Sequence, residues 1–284
     1  MYRRFLFITF LFFLPEVDTE FTTKPLAITS DVNMVISNKK TNVVASQISD
    51  VKREEIRKEK KENKAILWLE RAEQILEPEA RIKAYKKALE LNPHIPQAYL
   101  GIAQALYLKY PGDPFLINDK EKAIIIELLK EAVENLNRAI ALDKNYAEAY
   151  ALRADILYSL KKLKELEEKE DGYNTKILKD IDRALLLNAS NKRELYYLRS
   201  SVYFGELNKA ILEQHRRGEF NLQVLEELFN KAVAEIDNGG TLCREDDLEC
   251  LISFYERKGN AYLNFGNYLI IRGDSAKREE FSVK

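Results

Sequence analysis

Histidine, cysteine and tryptophan are scarce in this sequence of 284 residues, which contains two, two and one of them respectively. The two histidines, His94 and His215, stand far apart and outside the His-x-x-x-His or mixed His/Cys spacings that bind metal ions. Neither histidine lies in a recognisable catalytic-triad context. We therefore expect no metal site, no cofactor and no enzymatic activity.

Glycine and proline are also few, with 10 and 7 residues. Such a sequence has little of the turn chemistry that an all-β fold requires, whereas its abundant Ala, Leu, Glu and Lys favour helices. The one Gly-Gly pair, at positions 239 and 240, leads into Thr-Leu-Cys instead of the Gly-Lys-Ser of a phosphate-binding loop. A hydrophobic content of 46% is enough for an ordered core. We predict an all-α fold without a nucleotide loop.

An excess of charge of either sign is lacking, because the formal net charge is −1. This balance gives no electrostatic reason to expect nucleic acid or an anionic membrane as a partner. Acidic clusters at 168–171 and 244–247 are interpreted as hydrated surface, not as paired catalytic carboxylates.

The N-terminus carries Arg3 and Arg4 before an apolar run over residues 5–14. Ten apolar residues are fewer than the roughly twenty of a membrane-spanning helix, so we interpret residues 1–14 as a secretory signal peptide. Its cleavage site is not evident, and a retained anchor is the alternative. Residues 15–50 lack a sustained period and are predicted to be a flexible tether. The mature protein is expected outside the cytoplasm, in the periplasm, without stable membrane insertion.

The two cysteines, Cys243 and Cys250, could form a disulfide if the protein is exported. On one continuous helix they would lie about 10.5 Å apart along the axis, beyond the reach of a bridge. The bond therefore requires a helix that begins after Cys243, with Asp246 or Asp247 as its N-cap. Two free thiols are the alternative.

A pattern of three positions returns four times along the chain. Each copy has an aromatic residue, a small residue four positions later and a large residue three positions after that, all on one helical face. The aromatic positions are Tyr99, Tyr150, Tyr196 and Tyr255; the small ones are Ala103, Ala154, Ser200 and Gly259; the large ones are Leu106, Leu157, Tyr203 and Tyr262. A second helix accompanies each of four repeats and has alanine at a matching position, namely Ala88, Ala139, Ala184 and Ala232.

These residues resemble the tetratricopeptide repeat (TPR), and in particular exported bacterial TPR proteins. The resemblance covers roughly residues 63–268, where Trp68 and Ala72 open the first repeat and the fifth is incomplete. It implies a right-handed superhelical solenoid of helix-turn-helix units within residues 51–284, about five in number.

Long insertions depart from the usual repeat spacing, and all fall between the two helices of a repeat. They either lengthen the helices or form a binding edge. Asn118 and Glu121 match a capping box for a long helix that runs to Leu142, which favours lengthened helices.

The resemblance further implies that the first helix of each repeat lines a concave groove, at positions five and eight residues after the aromatic one. The polar row is Gln104, Asp155, Ser201 and Asn260, and the aromatic and apolar row is Tyr107, Tyr158, Phe204 and Leu263. Such rows suit an extended peptide or a partner helix. A purely structural role in packing is the alternative.

The sequence therefore predicts a non-enzymatic scaffold or adaptor of the cell envelope that binds another protein in this groove. The alternative is a small-solute carrier that passes its ligand to a membrane transporter, which requires a deep, mostly apolar cavity of several hundred Å³.

Overall fold

The computed structural model describes the backbone of residues 30–110, 118–165, 172–218 and 221–271, and side chains from residue 51 onward except at 164, 165, 270 and 271. These ranges contain no strand and form nine α-helices, which confirms the all-α prediction. The helices are α1 (Ser30–Gln74), α2 (Pro78–Leu91), α3 (Pro96–Tyr107), α4 (Asp119–Leu142), α5 (Ala147–Glu165), α6 (Tyr173–Leu186), α7 (Lys192–Arg217), α8 (Leu222–Gly240) and α9 (Leu248–Ile271).

The chain divides into two compact units, Met1–Ile56 and Arg57–Lys284. In the first unit, residues 30–56 are helical, so the predicted flexible tether over 15–50 differs from the structure in its second half. The physical reason is that these residues, although polar, contain no Gly or Pro to interrupt a helix. The predicted signal peptide over 1–14 lies outside the described residues. Within the described parts of the chain, no helix combines the length and apolarity required to cross a membrane.

In the second unit, helices that are consecutive along the chain pack against each other from α2 to α9. Helices α3 and α4, α5 and α6, and α7 and α8 form three complete hairpins. The hairpins follow one another in order, and α3 also contacts α5, as α5 contacts α7. This stacking of first helices confirms the predicted solenoid of repeats.

Side-chain caps set the start of the helices. Glu77 is the N-cap of α2, and its side chain accepts hydrogen bonds from the backbone N–H groups of Glu79 and Ala80. Pro78 at the first helical position has no N–H group and needs no acceptor. Asn118 and Glu121 form the predicted capping box, with Glu121 N donating to Asn118 Oδ1 over 3.0 Å. Helix α4 then continues to Leu142, as the sequence predicts.

The insertions lengthen helices. Helix α4 has 24 residues and α7 has 26, whereas α3, which precedes the insertion of its repeat, has 12. Residues 111–117, 166–171 and 219–220 of these connections lie outside the described residues.

The small positions lie where two helices approach closely. Ala103 and Ala154 are fully buried, and Ser200 is almost fully buried. The Ser200 hydroxyl donates a hydrogen bond of 2.8 Å to the carbonyl oxygen of Ala232, which is itself the small position of the second helix. The second-helix alanines of the other repeats, at 88, 139 and 184, are fully buried as well. Small side chains therefore let the paired helices come into contact.

Gly259 is the exception, because the prediction that it is buried is wrong. It is exposed, and a Cβ atom added there would have no neighbour within 4 Å. In α3, α5 and α7 the next helix along the chain covers this face, but α9 is the last described helix. Helix α9 instead buries a neighbouring face, with Ala261, Phe265 and Leu269.

Two hydrophobic clusters fill the second unit. The N-terminal cluster extends from Ala65 to Val202 and is dominated by alanine, leucine and isoleucine. The C-terminal cluster joins α7, α8 and α9 around Phe229 and Phe265, and further aromatic rings pack against it. The candidate site extends along the first helices and ends at the C-terminal cluster.

Candidate partner-binding groove

The first part of the predicted row lies on α3 and α5, which contact each other. Gln104 and Asp155 are both exposed. Tyr107 is half-buried, and its hydroxyl lies 3.1 Å from the hydroxyl of Ser159 on α5. The contact holds the Tyr107 ring in one position between the two helices, so that this part of the surface is fixed before any partner binds.

The negative charge of Asp155 affects the pKa of Tyr107. Burial raises the pKa of Tyr107 to about 12, and the nearby negative charge of Asp155 adds to the effect. Asp155 is exposed, yet desolvation by the protein around it raises the pKa of its carboxyl group. A carboxylate whose charged form is disfavoured by its surroundings gains from a cationic or N–H donor group brought by a partner.

Tyr158 continues the row on α5. Its ring is half-buried, and the Lys162 ammonium group lies 5.6 Å from the ring centroid. A cation at that distance over an aromatic ring is attracted to its face. This interaction orients Tyr158 without covering it completely.

The second part of the row borders a cavity of about 480 Å³ between α7 and α9. Ser201 and Phe204 on α7 and Asn260 on α9 line it together. The structure thus brings three of the predicted site residues into one cavity. The Ser201 hydroxyl donates to the Tyr197 carbonyl oxygen on its own helix, and the Phe204 ring meets Phe229 edge to face at 6.3 Å.

Leu263 does not line this cavity; it is exposed on α9. Arg257 and Asn264 line the cavity in its place, and the sequence analysis missed both. They stand three residues before and four residues after Asn260, so that all three share a helical face. Leu263 also stands three residues after Asn260 but is 60% exposed, so spacing along the helix does not by itself identify the residues that line the cavity.

Arg257 is the only charged residue among the described residues that line the cavity. Its guanidinium carbon lies 4.6 Å from the ring centroid of Tyr197. Burial raises the pKa of Tyr197, while the positive charge of Arg257 acts in the opposite direction. Tyr197 is 8% exposed, and its hydroxyl has no hydrogen-bond partner within the part of the chain that the structure describes. Such buried, unpartnered groups are uncommon in folded proteins.

A disulfide joins Cys243 and Cys250 in the connection from α8 to α9, where their Cα atoms are 5.6 Å apart. Helix α9 begins at Leu248, after Cys243, and Asp247 Oδ1 accepts a hydrogen bond of 3.0 Å from Cys250 N. Arg193 on α7 donates a further hydrogen bond to Cys250 Sγ over 2.7 Å. The start of α9, and with it one end of the cavity wall, is thereby fixed against α7 and α8.

Among the described residues, no group of three or more His, Cys, Asp or Glu side chains lies close enough together to hold a metal ion. The site that the structure offers in this part of the chain consists of amide, hydroxyl, aromatic and single charged groups along a surface.

No family model and no curated protein matches this chain. Solved structures that it resembles include the first TPR of Spaghetti (RPAP3) bound to the HSP90 peptide SRMEEVD, at 20% identity and a TM-score of 0.37, covering 50% of this chain and 94% of that chain. Another is the MamA protein, at 17% identity and a TM-score of 0.44, covering 78% of this chain and 87% of that chain. A human IFIT1 dimer with PPP-AAAA is similar at 16% identity and a TM-score of 0.29, covering 72% of this chain and 44% of that chain.

Proposed function

We propose that this chain is a non-enzymatic interaction scaffold that binds a peptide or helix of another protein along its first helices. The observation that carries the proposal is the row itself. Gln104, Asp155 and Ser201 present polar groups on three successive first helices, and Tyr107, Tyr158 and Phe204 present half-buried rings beside them. Amide, carboxylate and hydroxyl groups can pair with a partner's backbone, while rings supply apolar contact.

The packing of the helices supports this proposal. The buried alanines let the helices of each hairpin pack closely, and the hydrogen bond between the hydroxyl groups of Tyr107 and Ser159 fixes the Tyr107 ring. A surface that is already ordered loses little conformational entropy when a partner binds, so more of the contact energy appears as affinity. Stacked repeats provide such a surface over a long distance.

We further propose that the protein acts outside the cytoplasm, as an adaptor of the cell envelope in the periplasm. The signal-like pattern of residues 1–14 supports this location, as does the Cys243–Cys250 disulfide, because disulfides persist in oxidising compartments. A test is to fractionate cells that express the full-length chain and to measure where it accumulates and whether residues 1–14 are removed. Full-length protein in the cytoplasm with reduced cysteines would contradict the proposal.

The groove is tested by reversing the charge of Asp155. We expect Asp155→Lys to abolish or strongly reduce capture of partner proteins from envelope extracts, because the variant places a cation where the row offers an acceptor. Glu62→Lys is the matched control. Glu62 is exposed on α1, and its substitution by lysine makes the same change of charge outside the row. Equal capture of the same proteins by both variants would show that the row does not bind them.

A second candidate is the small-solute carrier, and the cavity between α7 and α9 is the observation that favours it. Its volume of about 480 Å³ lies within the range of ligand pockets. Native mass spectrometry of the protein purified under mild conditions distinguishes the two. A stoichiometric small ligand that is lost on denaturation favours a carrier, and a ligand-free protein that captures polypeptides favours a scaffold.

A further inference from the structure

We infer that the α7–α9 cavity binds one specific feature of a partner polypeptide, a large apolar or aromatic side chain next to a glutamate or aspartate. The apolar side chain enters the cavity, and Arg257 binds the carboxylate at its rim. This inference deepens the proposed function and rests on it, because it presumes that the groove binds a polypeptide.

The walls of the cavity are suited to an aromatic or large aliphatic side chain. Phe204 and Ile211 on α7, Ile236 on α8, and Phe265 and Tyr268 on α9 line it. Phe265 stacks on Phe229 at a centroid distance of 4.4 Å and on Tyr268 at 6.2 Å, so that the aromatic wall is ordered. A cavity of about 480 Å³ is larger than any one side chain, and room remains for the adjoining backbone.

Arg257 provides the charge selection. Its guanidinium carbon lies 4.6 Å from the Tyr197 ring centroid, and among the described residues no carboxylate is paired with it. A cation–π contact of this kind does not use the N–H donors in hydrogen bonds, so they can bind a carboxylate. A carboxylate can accept two of these donors at once, which is the strongest pairing available to an arginine side chain.

Amide groups surround the same rim. Asn208, Asn260 and Asn264 line the cavity, and each is exposed. An asparagine side chain carries both a donor and an acceptor, as does a peptide unit, so the three can pair with the backbone on either side of the bound side chain. The unpartnered hydroxyl of Tyr197, which also lines the cavity, supplies one more polar group.

The exposure of the rim favours a polypeptide over a small solute. Pockets for small molecules enclose most of the ligand surface. Here Arg257 and the three asparagines are open to solvent, and the cavity continues the row of Ser201 and Phe204. A ligand that is only partly enclosed gains affinity from contacts outside the cavity, which a longer chain provides.

The test uses three peptides with acetylated N-termini and amidated C-termini, so that no terminal charge contributes: GSGEFGSG, GSGQFGSG and GSGEAGSG. Affinities for the full-length protein are measured by isothermal titration, and the site is identified from NMR shifts of the asparagine side-chain amides. We expect the Glu-Phe peptide to bind at least about tenfold more tightly than either comparator, since each removes one of the two contacts. Equal affinity of all three peptides would overturn the inference.

The Arg257→Gln variant tests the assigned cation. Because Arg257 is exposed, the variant is expected to fold, and circular dichroism and the Tm check this. We expect the variant to bind the Glu-Phe peptide about tenfold more weakly than the wild type does and to bind the Gln-Phe peptide with unchanged affinity. Arg138→Gln on α4 is the matched control, because it removes one exposed positive charge outside the cavity. An equal loss in the two variants would show general electrostatic attraction and overturn the assignment.

Two other occupants are outcomes of the same experiment. Residues 272–284 contain Glu280 followed by Phe281 and lie outside the described residues. If deletion of 272–284 raises the affinity for the Glu-Phe peptide tenfold, the protein's own segment fills the cavity, and the inference of a partner is wrong. If 4-phenylbutyrate binds more tightly than the peptide, the cavity selects a small acid and the inference fails in that way.

The failure of this inference is distinguishable from failure of the proposed function. If Arg257→Gln captures partners normally and Asp155→Lys does not, the groove binds polypeptides but the cavity does not select the acidic and aromatic pair. If neither variant changes capture, the groove itself is not the binding surface.

Discussion

The N-terminal and C-terminal hydrophobic clusters of the second unit lie in helical hairpins of the same kind but are built from different side chains. The first is built from alanine and branched aliphatic residues, such as Leu129 and Leu136, which are fully buried. The second is built around Phe229, whose ring meets Tyr262 at 5.2 Å and Phe265 at 4.4 Å. Small residues let helices pack closely, whereas the rings of the C-terminal cluster meet one another stacked or edge to face. The cavity of about 480 Å³ lies in this aromatic region.

Polar contacts are more uniform along the unit than the hydrophobic packing. Arg153 on α5, Arg199 on α7 and Lys258 on α9 each stand three residues after the aromatic position of their repeat. They pair with Asp180, Glu235 and Asp237 respectively, at 2.6, 2.8 and 2.7 Å. The repeat register therefore continues into α9, but Lys258 pairs with the preceding helix, whereas Arg153 and Arg199 pair with the helix that follows their own.

Within this repeat fold, the regularly packed hairpins offer a row of side chains on their surface, whereas the last repeat adds a cavity between helices. Where the hairpins follow the repeat closely, small and aliphatic side chains fill the buried positions, and the pocket found there is an open one on the surface of α4. Where the last repeat lacks a described second helix, α9 is held by a disulfide, by Arg193 and by aromatic stacking, and a cavity opens beside it. We expect this end to discriminate among partners and the other end to provide stability.

The largest expected effect comes from truncating a core residue in each cluster. Phe229→Ala should lower the free energy of unfolding by about 3–5 kcal/mol, and Leu136→Ala by about 2–5 kcal/mol, because each leaves a cavity. In repeat proteins, such losses remain partly local. Hydrogen exchange should therefore show α8 and α9 opening first in the Phe229 variant, and α4 and α5 in the Leu136 variant. Identical exchange profiles would show that the two clusters form one cooperative core.

The disulfide should have the next largest effect. Replacing both Cys243 and Cys250 by alanine should lower stability by about 2.5 kcal/mol, the value that chain entropy gives for so short a loop. Amide exchange should rise at the start of α9 and stay unchanged in α3–α6, because the bond orders only the C-terminal cluster. The control is the wild-type protein, whose stability is measured with the disulfide intact and again after reduction. A reduced wild type as stable as the oxidised form would remove this difference between the two regions.

Two glycines give effects of opposite sign. A Cβ atom at Gly101 on α3 would clash with the buried ring of Tyr85 on α2, so Gly101→Ala should destabilise the protein by about 1–3 kcal/mol. Gly259 on α9 has open space around it, so Gly259→Ala should stabilise the helix by about 0.5–1 kcal/mol. Urea denaturation measures both. Destabilisation by Gly259→Ala would mean that something packs on this face of α9.

The same two regions show how much a sequence can predict. The periodic aromatic and small positions predicted the hairpins, and the Asn118 and Glu121 pair predicted the start of α4, because both depend on neighbours within one helix or hairpin. The burial of Gly259 was predicted wrongly because it depends on a helix that the repeat implies and the described chain lacks. Arg257 and Asn264 were missed because the α7–α9 cavity depends on the distance between helices that are not consecutive, which no local pattern encodes.

The smallest expected effect concerns Asp155, and it separates binding from stability. Desolvation raises the pKa of this carboxyl group in the folded protein, so the folded state binds its proton more readily than the unfolded state does. The charged form is therefore disfavoured by folding, and stability decreases as the pH rises through the ordinary pKa of aspartate toward the raised folded value. Asp155→Asn should remove this pH dependence and should be neutral or stabilising at pH 7, within about 0.5 kcal/mol, since the side chain is exposed. Urea denaturation at pH 3 and pH 7 measures the change, with Glu62→Gln as the control for loss of one exposed carboxylate. If Asp155→Asn is less stable than the wild type at pH 7, the carboxylate stabilises the fold, which would contradict a role of Asp155 in partner binding alone.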